Sequence, residues 1–355
     1  MADTKTKKKN KNLTAAKKAR NDEFFTRLTD IEHELNHYNG LNPTGSTNHF
    51  KDKVVFCNCD DAKESNFFKY FALNFRSLGL KKLICVGYAK SGIKSCFDKD
   101  DERHAWKIEI DHMDDFNGDT AVDLADAEWL IEHQQGVLTQ LKGDGDFRSE
   151  ESIELLKQAD IVVTNPPFSL ASSFVELLVK YNKQFLFIGN KNMITYKEVF
   201  PLIKDNKLWM GYTSPTDFIQ PETATPVSVN GLCRWFTNIP TQKRQEILVL
   251  GGNYAANPAA YPKYDNYDAI EVSKVIQIPR DYFGVMGVPI TFLDKYNPTQ
   301  FEIVDARTVT SIPELQAKNT MLVKDADGAI NGKAKYARIL IRRLPGSTDG
   351  WDCTL

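Results

Sequence analysis

Residues 161–168 read Ile-Val-Val-Thr-Asn-Pro-Pro-Phe, and the interpretation of the whole chain starts from this stretch. Its first four residues form a short apolar run, which is typical of a buried strand. The two consecutive prolines fix φ and remove two backbone donors, so the following loop is stiff and its carbonyls remain available as acceptors. In an open parallel sheet, such a loop lies at the edge where ligands bind.

Strands and helices alternate on both sides of this stretch. Further strands are predicted at 53–59, 82–87, 184–189, 208–212 and 231–237. Helices are predicted at 22–38, 65–78, 150–158, 170–181 and 196–203. This alternation predicts an α/β fold built on a parallel sheet.

Two regions depart from that alternation. Residues 89–142 are polar, with one strand expected near 106–110, and they are interpreted as an insertion on the rim of the sheet. After about residue 240, Tyr, Pro, Asn and Asp become frequent between short β-like runs at 275–278, 301–304 and 336–341. The sequence therefore predicts a main domain over 21–240 and a β-rich second lobe over 241–355.

The charge of the chain is concentrated at its N-terminus. The formal net charge of all 355 residues is -2, but residues 1–20 contain eight Lys or Arg against the single Asp3. These residues have nothing to bury and are expected to be mobile. They are either a solubilising tail or, if the partner is DNA, an arm that binds phosphates through Lys7, Lys8, Lys9 and Lys11.

Composition also limits the class of protein. Of the six cysteines, Cys57 and Cys59 lie two residues apart, but the second close pair that a zinc site usually needs is missing. No metal is therefore expected, and the thiols fit a reducing cytoplasm. No apolar run approaches the roughly 18–20 residues of a membrane span. No apolar segment follows the N-terminal lysines as in a signal peptide. A cytoplasmic monomer with no membrane partner is therefore expected.

The loop Asn165-Pro166-Pro167-Phe168 carries the predicted chemistry. An amine attached to an sp2 carbon is a poor nucleophile, because its lone pair is delocalised. An Asn carbonyl and a backbone carbonyl that both accept from the amine would draw its nitrogen toward a tetrahedral shape, and Phe168 would stack on an extruded base. The alternative is a rigid strand-to-helix connection with a capping Asn.

This loop resembles the target-amine motif of the amino-methyltransferases, and further stretches are similar to the EcoRI-type adenine-specific DNA methyltransferase family. Those stretches are 22–26, 54–61, 143–149 and 287–296, so the resemblance covers nearly the whole chain beyond residue 20. It implies a Rossmann-like methyltransferase sheet with an insertion and a C-terminal target-recognition lobe. It also implies transfer of methyl from S-adenosylmethionine to N6 of a flipped adenine in double-stranded DNA.

The resemblance also implies where the cofactor binds. The residues expected to bind S-adenosylmethionine are Phe24, Phe25, Thr26, Cys57, Asn58, Asp60, Asp61, Asp146 and Phe147. Asp146 would accept from the adenine amine, and Phe147 would pack on the ring. The turn at 57–61 lacks the usual glycine, and Asp60 and Asp61 could instead cap the following helix. The second strand ends at Gly87-Tyr88, without the acidic residue that commonly contacts the ribose.

For the DNA, the turn that bears Lys333 and Lys335 is a candidate phosphate contact. The resemblance makes GAATTC the expected target, although the sequence identifies neither the base-reading residues nor an accompanying restriction enzyme. Two other functions stay open at this point. One is amine methylation of RNA or protein, for which the related protein methyltransferases favour Tyr rather than Phe after the prolines. The other is a DNA-binding protein whose methylation site has decayed.

Overall fold

The computed structural model describes residues 25–41, 47–59, 65–89, 103–133, 137–220, 225–324, 327–335 and 337–351. By internal contacts the chain divides into two units. The first unit comprises residues 1–191 and 211–239, and the second comprises residues 192–210 and 240–355. No helix within the described ranges is both long and apolar enough to cross a bilayer.

The strands and helices of the described residues are numbered in chain order. The strands are β1 (Phe25–Thr26), β2 (Val54–Cys57), β3 (Lys82–Val86), β4 (Trp106–Ile110), β5 (Leu138–Gln140), β6 (Ile161–Thr164), β7 (Gln184–Asn190), β8 (Trp209–Met210), β9 (Asp217–Ile219), β10 (Pro226–Ser228), β11 (Cys233–Thr237), β12 (Ile270–Glu271), β13 (Met286–Pro289), β14 (Phe301–Val304), β15 (Ala329–Ile330), β16 (Lys333–Ala334) and β17 (Arg338–Arg343). The α-helices are α1 (Leu28–Leu35), α2 (Asn66–Leu73), α3 (Phe75–Leu78), α4 (Leu124–His133), α5 (Glu150–Gln158), α6 (Ala171–Lys180), α7 (Phe200–Lys204) and α8 (Pro313–Gln316).

The first unit contributes seven strands to a large mixed sheet, in the order β5-β4-β3-β2-β6-β7-β11. The four central strands are mutually parallel, with β2 between β3 and β6 and with β7 beyond β6. β2 and β6 are buried along their whole length, which explains why both read as continuous apolar runs. The parallel centre brings the ends of these four strands to one edge.

The outer strands of this sheet differ from the sequence prediction. β4 pairs antiparallel with β3, β5 pairs antiparallel with β4, and β11 pairs antiparallel with β7. The sheet is therefore mixed rather than wholly parallel. Part of the predicted insertion at 89–142 is integral to the sheet, because β4 and β5 both hydrogen-bond into it.

Two shorter segments also differ from the prediction. The helix expected from residue 22 begins only at Leu28, because Phe25 and Thr26 pair with β9 as a strand. The β-like run at 275–278 is instead a 3-10 helix over Val275–Gln277, and Ile276 within it is 70% exposed. A strand needs alternate side chains to be buried, and this segment does not provide that pattern.

Helix ends in the first unit follow local rules. Ser65 caps α2, because its hydroxyl accepts from the backbone N–H groups of Phe67 and Phe68. The helical segment ends after α3 at Gly79, which adopts a left-handed conformation with φ of 63°. α2 buries Phe67, Phe68, Tyr70, Phe71 and Ala72.

The second unit has its own sheet, in the order β12-β13-β17-β14, and a separate hairpin of β15 and β16. Its core includes Tyr264, Val304, Val323 and Leu340. The segment 192–210 was expected in the main domain but groups with this unit, where α7 packs against β14.

Candidate functional site

The Asn-Pro-Pro-Phe loop begins immediately after β6, at the edge where the four parallel strands end. Pro166 is buried, and the side-chain carbonyl oxygen of Asn165 is shielded from solvent. The chain then enters a 3-10 helix over Phe168–Leu170, in which the Leu170 N–H donates to the Pro167 carbonyl at 2.9 Å. The loop therefore holds an amide acceptor at a defined place beyond the sheet.

The partly buried ring of Phe168 packs beside β9. Its centroid lies 6.0 Å from that of the fully buried Phe218. β1 pairs with β9 so that Thr26 is opposite Phe218, which brings the predicted segment of Phe25 and Thr26 to the strand that contacts the loop. The Thr26 hydroxyl is buried and has no hydrogen-bond partner among the residues that the structure describes. Phe24 lies outside those residues.

A buried carboxylate fixes the chain that leads into β9. Glu34, on α1, has no exposed surface and accepts from the Tyr212 N–H at 2.9 Å and from the Thr213 N–H at 2.6 Å. The hydroxyls of Thr213 and Tyr38 also donate to it, at 2.7 and 2.9 Å. Burial, together with the Glu34 charge, raises the pKa of Tyr38 well above its usual value. A buried charge with four donors is satisfied, so α1 holds this segment firmly.

A cleft with an empty volume of about 330 Å³ lies at the same edge of the sheet. Its lining residues come from the turns after β2 and β3, from the loop before α5 and from the target loop, and they are Asn58, Cys59, Tyr88, Gly145, Asp146, Phe147, Pro167 and Leu170. Because Pro167 belongs to both the loop and the cleft, a ligand in the cleft would border the loop that carries Asn165.

The turn after β2 supplies one wall of this cleft. Asn58 is 2% exposed and Cys59 is partly exposed, and both line the cleft. Cys57 does not line it, because its side chain belongs to the hydrophobic core. Asp60 and Asp61 lie outside the described residues.

Gly145, in the loop before α5, lets two backbone segments of the cleft approach each other closely. Its φ is +75°, and a Cβ placed on it would lie 2.5 Å from the Gly87 carbonyl oxygen and 2.9 Å from Ala105 Cβ. The Ala89 N–H donates to the Asp144 carbonyl at 2.9 Å, so the loop is also hydrogen-bonded to the chain after β3. A side chain at position 145 would push the loop before α5 away from the chain after β3, and these two segments form neighbouring walls of the cleft.

Asp146 carries a two-point ion pair with Arg148. Arg148 Nε donates to Asp146 Oδ1 at 2.8 Å, and a terminal guanidinium nitrogen donates to Oδ2 at 2.5 Å. The backbone N–H of Arg148 also donates to Oδ1, at 2.8 Å. The side-chain hydrogen bond to Asp146, together with the charge of that carboxylate, raises the pKa of Arg148. The carboxylate is therefore held in one orientation at the wall of the cleft.

Phe147 is 4% exposed and meets Phe174 of α6 edge to face, with ring centroids 5.3 Å apart. The Arg148 guanidinium carbon lies 5.3 Å from the centroid of the Phe147 ring. The ring is therefore packed between a helix and a cation, and it offers the cleft only a small apolar surface.

The sequence did not predict Cys59, Tyr88, Gly145 and Leu170 as lining residues. Tyr88 follows β3, at the position where such folds commonly carry an acidic residue. Its phenol is a hydrogen-bonding group at a strand end, and that property, rather than acidity, is the signal that marks it. Leu170 lies in the turn after the target loop, and apolar residues there carry no signal of their own.

Lys333 and Lys335 lie at the hairpin of β15 and β16 in the second unit, where Lys333 is exposed and Lys335 is partly exposed. Asp265 accepts from the backbone N–H groups of Asn331 and Gly332, at 3.1 and 2.8 Å, and so fixes the turn. The other predicted DNA contacts, Lys7, Lys8, Lys9 and Lys11, lie outside the described residues.

Comparison with known proteins gives a consistent result. Residues 12–344 match the family described as adenine-specific methyltransferase EcoRI. The chain is 46% identical to the type II methyltransferase M.EcoRI of Escherichia coli over 353 residues, which cover 94% of this chain and 96% of the relative. No solved structure matches this chain.

Two relatives from mycoplasmas are also similar over nearly their full length. The chain is 39% identical to the type II methyltransferase M.MgeORF184P of Mycoplasma genitalium, over 92% of this chain and 97% of the relative. It is 36% identical to the type II methyltransferase M.MpnI of Mycoplasma pneumoniae, with the same shares covered.

Proposed function

Because this chain belongs to the adenine-specific EcoRI methyltransferase family, we propose that it methylates adenine N6 in duplex DNA at the loop 165–168. The chain is a DNA adenine methyltransferase of the type II, restriction-modification kind. The observation that carries the proposed site is the position of Pro167, which belongs both to the target loop and to the wall of the cleft. A methyl donor in the cleft and an amine at Asn165 would then be adjacent.

The proposed chemistry needs no strong base. The Asn165 side-chain carbonyl and the backbone carbonyl of Pro166 accept from the two N6 hydrogens and turn the nitrogen lone pair toward the cleft. S-adenosylmethionine, when bound, supplies an electrophilic methyl group on a positively charged sulfur. Methyl transfer to N6 would leave neutral S-adenosylhomocysteine, and the surplus N6 proton, held at the Asn165 and Pro166 carbonyls, would pass to water. Preorganised acceptors suit this step, because positive charge develops on the nitrogen.

The lining of the cleft fits S-adenosylmethionine through several kinds of contact. The Asp146 carboxylate accepts from the adenine amine, and Phe147 packs against the edge of the ring. Tyr88 donates to a ribose hydroxyl in place of the acid that is absent after β3. Asn58 and Cys59 border the methionine portion, and Phe25 and Thr26 close the site from β1. Cys57 supports the turn from the core. For Phe24, Asp60 and Asp61, contact with the cofactor is proposed from the sequence alone.

The target adenine must leave the duplex before it can reach Asn165, at a cost of a few kcal/mol of unstacking. Phe168, fixed against Phe218, supplies the ring on which the extruded base stacks. Residues 240–355 form the target-recognition lobe, and its hairpin lysines bind phosphates together with the arm at residues 1–20. GAATTC is the target sequence that we propose.

Transfer of label from S-adenosylmethionine tests this function. Duplexes that contain GAATTC should take up label at the internal adenine, whereas RNA and cell protein should not. Label in protein or RNA alone would contradict the assignment to DNA, and no label in any polymer would indicate a decayed site. The recognition sequence is tested separately by mapping N6-methyladenine in DNA from cells that express the protein.

Asn165→Ala tests the site itself. Turnover should fall about 100-fold or more, as when a preorganised polar group is removed elsewhere. The affinity for the cofactor should stay within about twofold, since Asn165 does not line the cleft. Asn165→Asp keeps a side-chain acceptor and should retain more activity than Asn165→Ala. Equal activity of the wild type and Asn165→Ala would exclude Asn165 from this role.

A further inference from the structure

The ion pair between Asp146 and Arg148 has no role in the chemistry described so far, and three features single it out. Two guanidinium nitrogens donate to the two carboxylate oxygens, and the backbone N–H of Arg148 is a third donor. Asp146 lines the cleft, whereas Arg148 does not line it and its side chain is 52% exposed. The guanidinium also lies over Phe147, the neighbouring lining residue.

We propose that Arg148 is a positioning residue that makes the cleft specific for a 6-aminopurine, by holding the Asp146 carboxylate in the orientation that accepts from the ligand's exocyclic amine. This proposal rests on the function proposed above, in which Asp146 binds the adenine of the cofactor.

The geometry explains why Arg148 can do this and why its own contact with the ligand is not needed. An Asp carboxylate at a loop rotates about a broad terminal torsion, so its two oxygens have no fixed direction without a partner. A guanidinium that bonds both oxygens sets the plane of the carboxylate. Because the guanidinium also lies over the Phe147 ring, it fixes the plane of the carboxylate relative to the aromatic side chain that packs against the purine.

Lysine could not replace arginine here. An ammonium is a compact charge that does not match both oxygens in one plane, so it would preserve the ion pair but not the orientation. The raised pKa of Arg148 reflects the same contact.

The test compares two ligands in the complete protein without DNA. One is S-adenosylhomocysteine, and the other is the same molecule with hydrogen in place of the 6-amino group. Their dissociation constants are measured by calorimetry for the wild type and for Arg148→Ala, Arg148→Lys and Asp146→Ala. Arg76→Ala serves as the matched control, because Arg76 forms an exposed ion pair with Asp114 at 3.6 Å and does not line the cleft.

The wild type should prefer the amino ligand about tenfold or more, the usual effect of a hydrogen bond to a charged group. Arg148→Ala and Arg148→Lys should both lose most of this preference, while their melting temperatures stay close to that of Arg76→Ala. If Arg148 had a merely structural role, its replacement would weaken the binding of both ligands equally and leave the ratio of their dissociation constants unchanged. That result would overturn the proposal.

The role of Arg148 and the adenine contact of Asp146 are contradicted by different results. If Asp146→Ala loses the preference and Arg148→Ala keeps it, Asp146 reads the amine unaided and the role of Arg148 is wrong. If Asp146→Ala keeps the preference, the adenine contact assigned to Asp146 is itself wrong, and the role of Arg148 fails with it. If Arg148→Lys alone retains the wild-type ratio, charge rather than orientation is what matters, and the positioning argument is again overturned.

Discussion

Gly145→Ala should weaken cofactor binding while leaving the methyl-transfer chemistry nearly intact. Gly145 has a φ of +75°, and a left-handed conformation costs a residue with a Cβ about 1–2 kcal/mol. The new methyl group would also lie 2.5 Å from the Gly87 carbonyl oxygen, a backbone atom that cannot rotate away. The loop before α5 is expected to relax by withdrawing from the chain after β3.

Binding of the cofactor must then restore the strained arrangement. If the 1–2 kcal/mol of backbone strain is subtracted from the free energy of cofactor binding, the affinity falls about 5- to 30-fold. The clash with Gly87 adds to that decrease. The dissociation constant for S-adenosylhomocysteine, measured by calorimetry, gives the effect directly. At saturating cofactor, kcat should return to within a few-fold of the wild type, because the mutation does not touch the loop of Asn165.

Gly231→Ala is the matched control for this experiment. Gly231 has a similar φ of +71°, but a Cβ placed on it would meet nothing within 4 Å. It should lower stability by about 1 kcal/mol through the same backbone cost and leave cofactor affinity unchanged. A folded Gly145→Ala protein that binds the cofactor within twofold of the wild type would refute the role assigned to this glycine.

Three further changes test other parts of the molecule. Tyr88→Phe should weaken the binding of S-adenosylhomocysteine about fivefold in calorimetry, because a neutral hydrogen bond contributes about 1 kcal/mol. It should have no effect on the binding of an analogue without the ribose hydroxyls. Equal decreases in affinity for both ligands would contradict the ribose contact. Changing Lys333 and Lys335 to Ala should reduce the slope of log K against log salt for DNA binding by about 0.9 for each phosphate that is no longer neutralised, and deletion of residues 2–20 should reduce it further. An unchanged slope after that deletion would identify the arm as a solubilising tail. Ser65→Ala should lower the free energy of unfolding by about 1 kcal/mol in urea titration, since α2 loses its N-cap, whereas a change below about 0.3 kcal/mol would show that the cap is dispensable.

The centre of the fold was readable from the sequence because local patterns and burial agree there. β2, β6 and β7 are buried on both faces, so each appears as an apolar run that ends at a polar or Gly-containing turn. The orientation of the outer strands was not readable. Whether a strand such as β4 runs parallel or antiparallel depends on how the chain returns to the sheet, and β4 looks the same in sequence either way.

The cleft was predicted only in part, for a similar reason. Asn58, Asp146 and Phe147 follow or precede recognisable elements, and their polar or aromatic character marked them as candidates. Gly145 was not predicted, because a close-approach glycine is expected in the turn after β2 rather than before α5. Its importance comes from the proximity of Gly87, which is distant in sequence and comes near only in three dimensions.

The second unit is discontinuous in sequence, since it takes residues 192–210 as well as residues 240–355. The chain therefore passes between the two units three times, near residues 191, 210 and 239. An exchange of the second unit with that of a relative, made by a single crossover near residue 240, would leave α7 and β8 behind in the wrong parent. A working chimera must transplant both segments together, and natural recombination of this unit faces the same requirement for two exchanges.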